Sequence, residues 1–145
     1  MTTVLKPDIC VIGAGSGGLS VAAACAAFGV PVVLIEKGKM GGDCLNYGCV
    51  PSKAMIAAGK LAQSMRSAAK FGIADVDPDI DFRKVNKHIH SVIEAIAPND
   101  SVERFTALGV RVIKAEAKFK DKRTVVAADF EIRARRFVVA TGSSA

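Results

Sequence analysis

Cys44 and Cys49 are separated by four residues in the stretch GGDCLNYGCVPSK, Gly41 to Lys53. Two thiols at that spacing can hold a metal, close a structural disulfide, or pass electrons as a dithiol/disulfide pair. A zinc site draws in a second cluster of Cys or His. None is evident, because His88 and His90 fall on the polar side of a helical pattern and Cys10 and Cys25 fall in apolar runs. A plant-type iron–sulfur run needs a third Cys three positions after Cys49, where Ser52 stands. No metal ligands are assigned. A structural disulfide over so short a loop would constrain the unfolded chain little. A redox pair accounts for the surroundings better. Gly48 relaxes the backbone between the sulfurs, and Pro51 suits the first turn of a helix. Lys53 follows Cys49 by one turn, so a helix N-terminus and an ammonium group both favour a thiolate at Cys49.

The second constellation is GAGSGG, Gly13 to Gly18, which fits G-x-G-x-x-G with Gly13, Gly15 and Gly18 at the key positions. Standing alone the pattern is weak. Here it follows an apolar run, opens an Ala-rich helical pattern, and precedes Glu36 by the near-20-residue spacing such turns require. Gly13 permits the tight turn, Gly15 lets backbone approach a pyrophosphate, and Gly18 lets helix and strand pack closely. Free N–H groups at the helix start then face the anion, worth about 0.3–1 kcal/mol. Glu36 can accept hydrogen bonds from a ribose. The bland alternative is a glycine-rich turn beside a surface Glu.

These residues need elements to position them. Asp8 to Ile12 reads as a buried parallel strand, Ser16 to Phe28 as a helix stopped by Gly29, and Pro31 to Glu36 as a second strand, which together make a βαβ unit. A helix is expected from about Ser52 to Lys70, with Met55, Ala58, Ala62, Met65 and Ala69 on its inner face. An acidic turn, Ile73 to Asp81, leads to a helix whose apolar stripe is Val85, Ile89, Val92 and Ile96. Pro98 ends or kinks it, and Asp100 with Glu103 is placed to cap a continuation to Leu108. After Gly109 the runs VRVIKAEAKF, TVVAA, FEIRA and RFVVAT read as short strands.

The bulk numbers restrict what this assembly can be. The chain has 145 residues, the size of one domain, with 50% hydrophobic and 23% charged residues, which makes it globular. Its net charge of +6 permits an acidic partner such as a nucleotide phosphate. The basic residues are scattered and not interleaved with aromatics, so nucleic acid is not expected as a partner. Ile9 to Ile35 contains no charged residue and is long enough to imitate a membrane span. Its glycines and Pro31 divide it into strand, turn, helix and strand, so it reads as core. No membrane partner is expected, and the location implied is cytoplasmic. Four cysteines in a core-rich chain do not resemble a secreted disulfide scaffold.

The glycine turn, Glu36, GGDCLNYGCVPSK and the later Ala140-Thr141-Gly142 together resemble the N-terminal part of the FAD-dependent pyridine nucleotide–disulfide oxidoreductases, the family of dihydrolipoyl dehydrogenase, glutathione reductase and mercuric reductase. The resemblance covers the chain from about Asp8 to its end. It implies an α/β fold, a Rossmann-like FAD-binding domain with a parallel sheet, helices and a small antiparallel β-meander, cut short. By that resemblance Gly13, Gly15, Ser16, Gly17 and Gly18, with Glu36 and Lys37, would hold the ADP half of FAD. Gly41, Gly42 and Asp43 would lie by the pyrophosphate and Lys53 near the isoalloxazine. Backbone near Ala117 would touch adenine, and Thr141 with Gly142 would make a second flavin contact. Cys44 would be the interchange thiol that meets substrate, and Cys49 would lie against the flavin in a charge-transfer complex.

Electrons would pass between NAD(P)H, FAD, the Cys44–Cys49 disulfide and a dithiol, disulfide or metal-ion substrate. Two departures are evident: Asp43 stands where Thr is usual, and "SK" after "CVP" argues against glutathione reductase. The NAD(P) and dimerisation domains of family members, and the His–Glu pair that the latter supplies in a homodimer, have no counterpart in these 145 residues. The chain is therefore expected to be the first segment of an FAD-binding domain, inactive alone. The rival reading is a non-catalytic dinucleotide-binding module or a thiol redox sensor.

Overall fold

The computed structural model describes residues 2–143. In chain order the elements are β1 (Thr3–Leu5), β2 (Ile9–Ile12), α1 (Ser16–Ala27), β3 (Val32–Ile35), α2 (Gly42–Asn46) and α3 (Cys49–Arg66). A 3-10 turn at Ala68–Phe71 leads to α4 (Phe82–Ile96), and a second at Ala97–Asp100 leads to α5 (Val102–Ala107). The strands β4 (Arg111–Ile113), β5 (Ala117–Asp121), β6 (Thr124–Ala127), β7 (Phe130–Ile132) and β8 (Arg136–Val139) complete the chain.

Four strands form a wholly parallel sheet in the order β4-β3-β2-β8. All four residues of β3 are buried, because an all-parallel sheet is covered on both faces and its strands read as continuous apolar runs. On one face Val11 and Leu34 pack with Leu19 and Ala22 of α1 and Phe105 of α5. On the other face Cys10, Val33, Ile35 and Ile113 meet Val125, Ala127 and Ile132 of a second sheet. That second sheet has the order β1-β7-β6-β5, with β5, β6 and β7 forming the expected antiparallel meander.

The Rossmann-like α/β fold and the meander are as the sequence implies, and four local readings need correction. The helix expected from Ser52 begins at Cys49, so Pro51 is its third residue, and it ends at Arg66 before the 3-10 turn. VRVIKAEAKF does not form one strand: β4 joins the parallel sheet beside β3, whereas β5 joins the meander beside β6. Its backbone cannot serve two sheets at once, and Lys114 instead donates to the Gly38 carbonyl across the sheet end. The N-cap of α5 is Ser101, whose Oγ accepts from the Arg104 N–H, rather than Asp100. The strand β1 has no signal in its three residues, and its register is set by β7, far along the chain.

Candidate functional site

The glycine turn is built by collision avoidance. Gly13 has φ of +105°, and a Cβ there would run into the Ala140 carbonyl at the end of β8. A Cβ on Gly18 would overlap the Gly13 carbonyl oxygen and lie 3.3 Å from Val11 Cγ1. These two glycines close α1 onto the sheet, as their spacing requires. Gly15 differs. Its φ of −80° suits any residue, and a Cβ there would meet only the Gly42 Cα, at 3.8 Å. Nothing inside the chain demands glycine at position 15. The absence of a side chain there leaves bare backbone at the start of α1, whose first turn has no side-chain cap. Gly42 faces it from α2 with φ of +57°, and a Cβ on Gly42 would come within 2.6 Å of the Gly15 Cα. The result is a side-chain-free cradle that could admit an anionic group.

Glu36, at the end of β3, is tied to this turn. One carboxylate oxygen accepts from the Ala14 N–H at 2.6 Å and the other from the Gly38 N–H at 2.5 Å. Each oxygen keeps a further lone pair for an incoming hydroxyl. Beside it lies a cavity of about 140 Å³ lined by Gly13, Glu36, Lys37, Ala117 and Thr141, with Ile12, Ile35, Ala115 and Glu116. Five positions marked from the sequence thus meet in one cavity, although Ala117 and Thr141 belong to the far end of the chain.

The thiols lie near the cradle residues, Cys44 sharing a cavity with Ser16 and Gly41. Cys44 is in the middle of α2 and Cys49 is the first residue of α3. Both are free thiols, Cys44 half-buried and Cys49 exposed. Asp43, immediately before Cys44, carries the reversal between them. Its carbonyl accepts from the Tyr47 and Gly48 N–H groups at 2.9 and 2.7 Å, and a Cβ on Gly48 would lie 2.7 Å from the Asp43 carboxylate. Glycine at position 48 therefore makes room for Asp43, while its own backbone has an ordinary negative φ. Asn46 secures the same loop by donating to the carbonyls of Met40 and Gly42.

Cys44 lines a cavity of about 380 Å³ that Cys49 does not line. Its walls include Ser16, Leu19 and Ser20 of α1, Gly41 and Val50, with Asp100 and Arg104 as the charged groups. Sequence reading missed Asp100 and Arg104 as neighbours of the thiol. Asp100 was read only as a helix cap, and no local signal reveals that its carboxylate approaches Gly41. Lys53 stands exposed on α3, and Gly142 lies exposed beyond β8 with φ of +72°. Neither joins these cavities. Among the described residues no group of His, Cys, Asp and Glu forms a metal-binding cluster, and no helix is long and apolar enough to cross a membrane.

The Cys44 thiol is held above the ordinary thiol range, first by its side-chain hydrogen bond with Cys49 and then by burial and the charge of Cys49. The Cys49 backbone N–H and the Lys53 ammonium pull the other way. The fully buried Cys10 is a different case, with its thiol pushed up to about 12 by desolvation. Because the thiolate is the reactive form, Cys49→Ala should remove the chief cause of the upward shift and increase the Cys44 thiolate near neutrality. The pH midpoint for alkylation of Cys44 by iodoacetamide, followed on its peptide by mass spectrometry, should move down. A midpoint that stays or rises would remove Cys49 as the cause. Cys10 should remain unlabelled throughout.

Comparison with known proteins gives consistent results. The family described as pyridine nucleotide-disulphide oxidoreductase matches residues 7–145. A mercuric reductase of Bacillus cereus is 31% identical over 137 residues, which is 94% of this chain and 22% of that protein. A dihydrolipoyl dehydrogenase of Halobacterium salinarum is 39% identical over 122 residues, 82% of this chain and 25% of that protein. That of Bacillus subtilis is 35% identical over 144 residues, 96% of this chain and 30% of that protein. The chain thus spans between a fifth and a third of the length of these relatives. Among solved structures, the Cu(II) complex of the HOCl-induced flavoprotein disulfide reductase RclA from Escherichia coli superposes with a TM-score of 0.76 at 21% identity, over 94% of this chain and 28% of that one. At that identity the likeness establishes the fold.

Proposed function

The chain belongs to the pyridine nucleotide-disulphide oxidoreductase family, and from that premise we propose that it holds FAD and carries the redox dithiol of a flavoprotein disulfide oxidoreductase. The cavity beside Glu36 and Lys37, closed by Ala117 and Thr141, would take the adenosine. Glu36 would offer its free lone pairs to the ribose, and its charge would disfavour a 2′-phosphate there. The cradle of Gly15, Ser16, Gly17 and Gly18, faced by Gly41 and Gly42, would take the diphosphate. Asp43, the next residue after Gly42, would lie by the diphosphate; its carboxylate packs against Gly48. Lys53 and Gly142 would lie toward the flavin end. FAD, when bound, supplies two-electron exchange between a nicotinamide nucleotide and the dithiol.

The remaining chemistry belongs to the two thiols. What supports this reading is that Cys44 lines the about 380 Å³ cavity and Cys49 does not, so Cys44 would meet substrate and Cys49 would resolve. Cys44 thiolate attacks one sulfur of a substrate disulfide, a mixed disulfide forms, and the first substrate thiolate leaves and takes a proton from solvent. Cys49 thiolate then attacks Cys44 Sγ, the second substrate thiol is released, and the Cys44–Cys49 bond closes. The electron pair has moved from the protein dithiol to the substrate. The reverse sequence oxidises a dithiol substrate. A thiophilic metal ion, as in the name of the mercuric reductase relatives, fits the same soft donors. The full-length protein would act as a homodimer.

The test is to expose Cys49→Ser and Cys44→Ser separately to glutathione disulfide and weigh the products. Cys49→Ser should accumulate a stable glutathione adduct on Cys44, because the resolving thiol is missing. Cys44→Ser should accumulate far less on Cys49. Equal adducts on both would indicate a thiol sensor and sink the division of roles.

A further inference from the structure

We propose that Asp100 and Arg104 select the substrate of Cys44, and that what they select is a disulfide whose sulfur carries a free α-amino acid, as in cystine. The inference rests on the reading of Cys44 as the thiol that meets substrate and adds what that thiol accepts. Apart from the thiol itself, the wall of the about 380 Å³ cavity is uncharged among the described residues except at Asp100 and Arg104; serine hydroxyls and apolar side chains such as Leu19, Val50 and Ile96 make up the rest.

Elsewhere in the chain, neighbouring opposite charges neutralise each other: Arg66 pairs with Asp77 at 2.7 Å and Arg135 with Asp8 at 2.8 Å. Asp100 and Arg104 are four residues apart, the spacing at which such a pair forms along a helix. Among the described residues, however, neither takes part in an ion pair. Ser101 is the reason. Its ψ of 158° breaks the helical path between the second 3-10 turn and α5, so the two residues belong to different elements. Each is then held by something other than a counter-charge. The half-buried Asp100 packs against backbone, with Oδ2 3.1 Å from where a Cβ on Gly41 would stand. Arg104 Nη1 donates to the Asn99 carbonyl at 2.5 Å, and its guanidinium lies 5.6 Å from the centre of the Phe105 ring.

Two opposite charges, kept apart beside a nucleophilic thiol, fit a ligand that brings both counter-charges at once. An α-amino acid offers an ammonium group to Asp100 and a carboxylate to Arg104 from a single carbon. In cystine that carbon is one methylene away from the sulfur that Cys44 attacks. A dicarboxylate disulfide would meet like charge at Asp100, a diamine disulfide would meet it at Arg104, and a neutral disulfide would leave both unanswered. Such unpaired groups discriminate as strongly as the bonds that are made. The exchange itself balances as before: Cys44 thiolate displaces one half of cystine, which leaves as a thiolate and takes a proton from solvent, and the other half stays on Cys44 as a mixed disulfide.

The test uses the chain carrying Cys49→Ser, in which the adduct on Cys44 is stable. Second-order rates of adduct formation are measured by mass spectrometry with cystine, cystamine, dithiodipropionate and hydroxyethyl disulfide. Each rate is divided by that of the neutral hydroxyethyl disulfide, so a change in the thiol itself cancels. The same ratios measured with mercaptoethanol remove differences between leaving groups. Cystine should then be favoured about tenfold over the neutral probe. Adding Arg104→Gln should lower the ratios for cystine and dithiodipropionate about five- to tenfold but not that for cystamine. Asp100→Asn should lower those for cystine and cystamine but not that for dithiodipropionate. A loosened or misfolded loop would move all four rates alike and cannot produce this crossed pattern. Parent ratios that match mercaptoethanol, or variants that shift every probe equally, would overturn the proposal while leaving Cys44 as the substrate thiol. No adduct on Cys44 from any of the four probes would overturn both.

Discussion

Gly18→Ala is expected to destabilise the chain by about 3–5 kcal/mol, although Gly→Ala inside a helix ordinarily stabilises. The methyl group would overlap the Gly13 carbonyl oxygen and press on Val11. All of these are buried or half-buried in the joint between α1 and β2, and backbone cannot rotate away as a flexible side chain can. For a domain of this size such a loss is roughly 10–15 °C in Tm. The neighbouring Gly17 supplies the control. It is exposed and a Cβ there meets no atom within 4 Å, so Gly17→Ala should be neutral or stabilise by up to about 1 kcal/mol. Thermal and denaturant melts of the two variants read the difference directly. Equal stability would mean that α1 does not approach β2 as closely as the fold requires.

Gly15→Ala should behave in the opposite way, leaving the fold intact while damaging the cradle. Its backbone conformation is open to any residue and the nearest atom to the added methyl is 3.8 Å away, so stability should stay within about 0.5 kcal/mol of wild type. The methyl would stand where bare backbone is available to a diphosphate. Affinity for FAD, measured by the change in flavin fluorescence on titration, should therefore fall about 10- to 100-fold, or about 1.4–2.8 kcal/mol. A variant that folds and binds flavin as the wild type does would remove Gly15 from the cofactor site. A wild-type chain that takes up no flavin would overturn the assignment of the cradle to these residues alone.

The pair of glycine variants shows how much of the site is legible without coordinates. Positions 13, 15 and 18 are all visible as glycine in one pattern. Only the structure separates the two that the chain needs for its own packing from the one that it leaves open. The thiols follow the same rule. Their spacing and the glycines around them are what make a redox pair the expectation, and by the family resemblance Cys44 and Cys49 would have different duties. That Cys44 alone of the two lines a cavity, with Asp100 and Arg104 across from it, depends on how α5 and the 3-10 turn before it pack against α1. The helix that follows the thiols was also misjudged at its start. Its expected start is about Ser52, with Pro51 suited to the first turn, yet Gly48 ends the reversal and the helix begins immediately after it, at Cys49.

The sequence by itself determined the βαβ unit, the glycine turn, the close spacing of Cys44 and Cys49, and the family. Each of these is written in short-range spacing, where periodicity and residue type act over a few neighbours. Tertiary structure alone decided that VRVIKAEAKF divides between two sheets, that Thr3–Leu5 is a strand, and that Ala117 and Thr141 close the cavity beside Glu36. These are outcomes of parallel pairing and sheet-on-sheet packing between residues up to 127 positions apart, as Thr3 and Phe130 are. A strand's partner is chosen by the surface that it covers and the crossover that delivers it, and neither is encoded in the few residues of the strand itself.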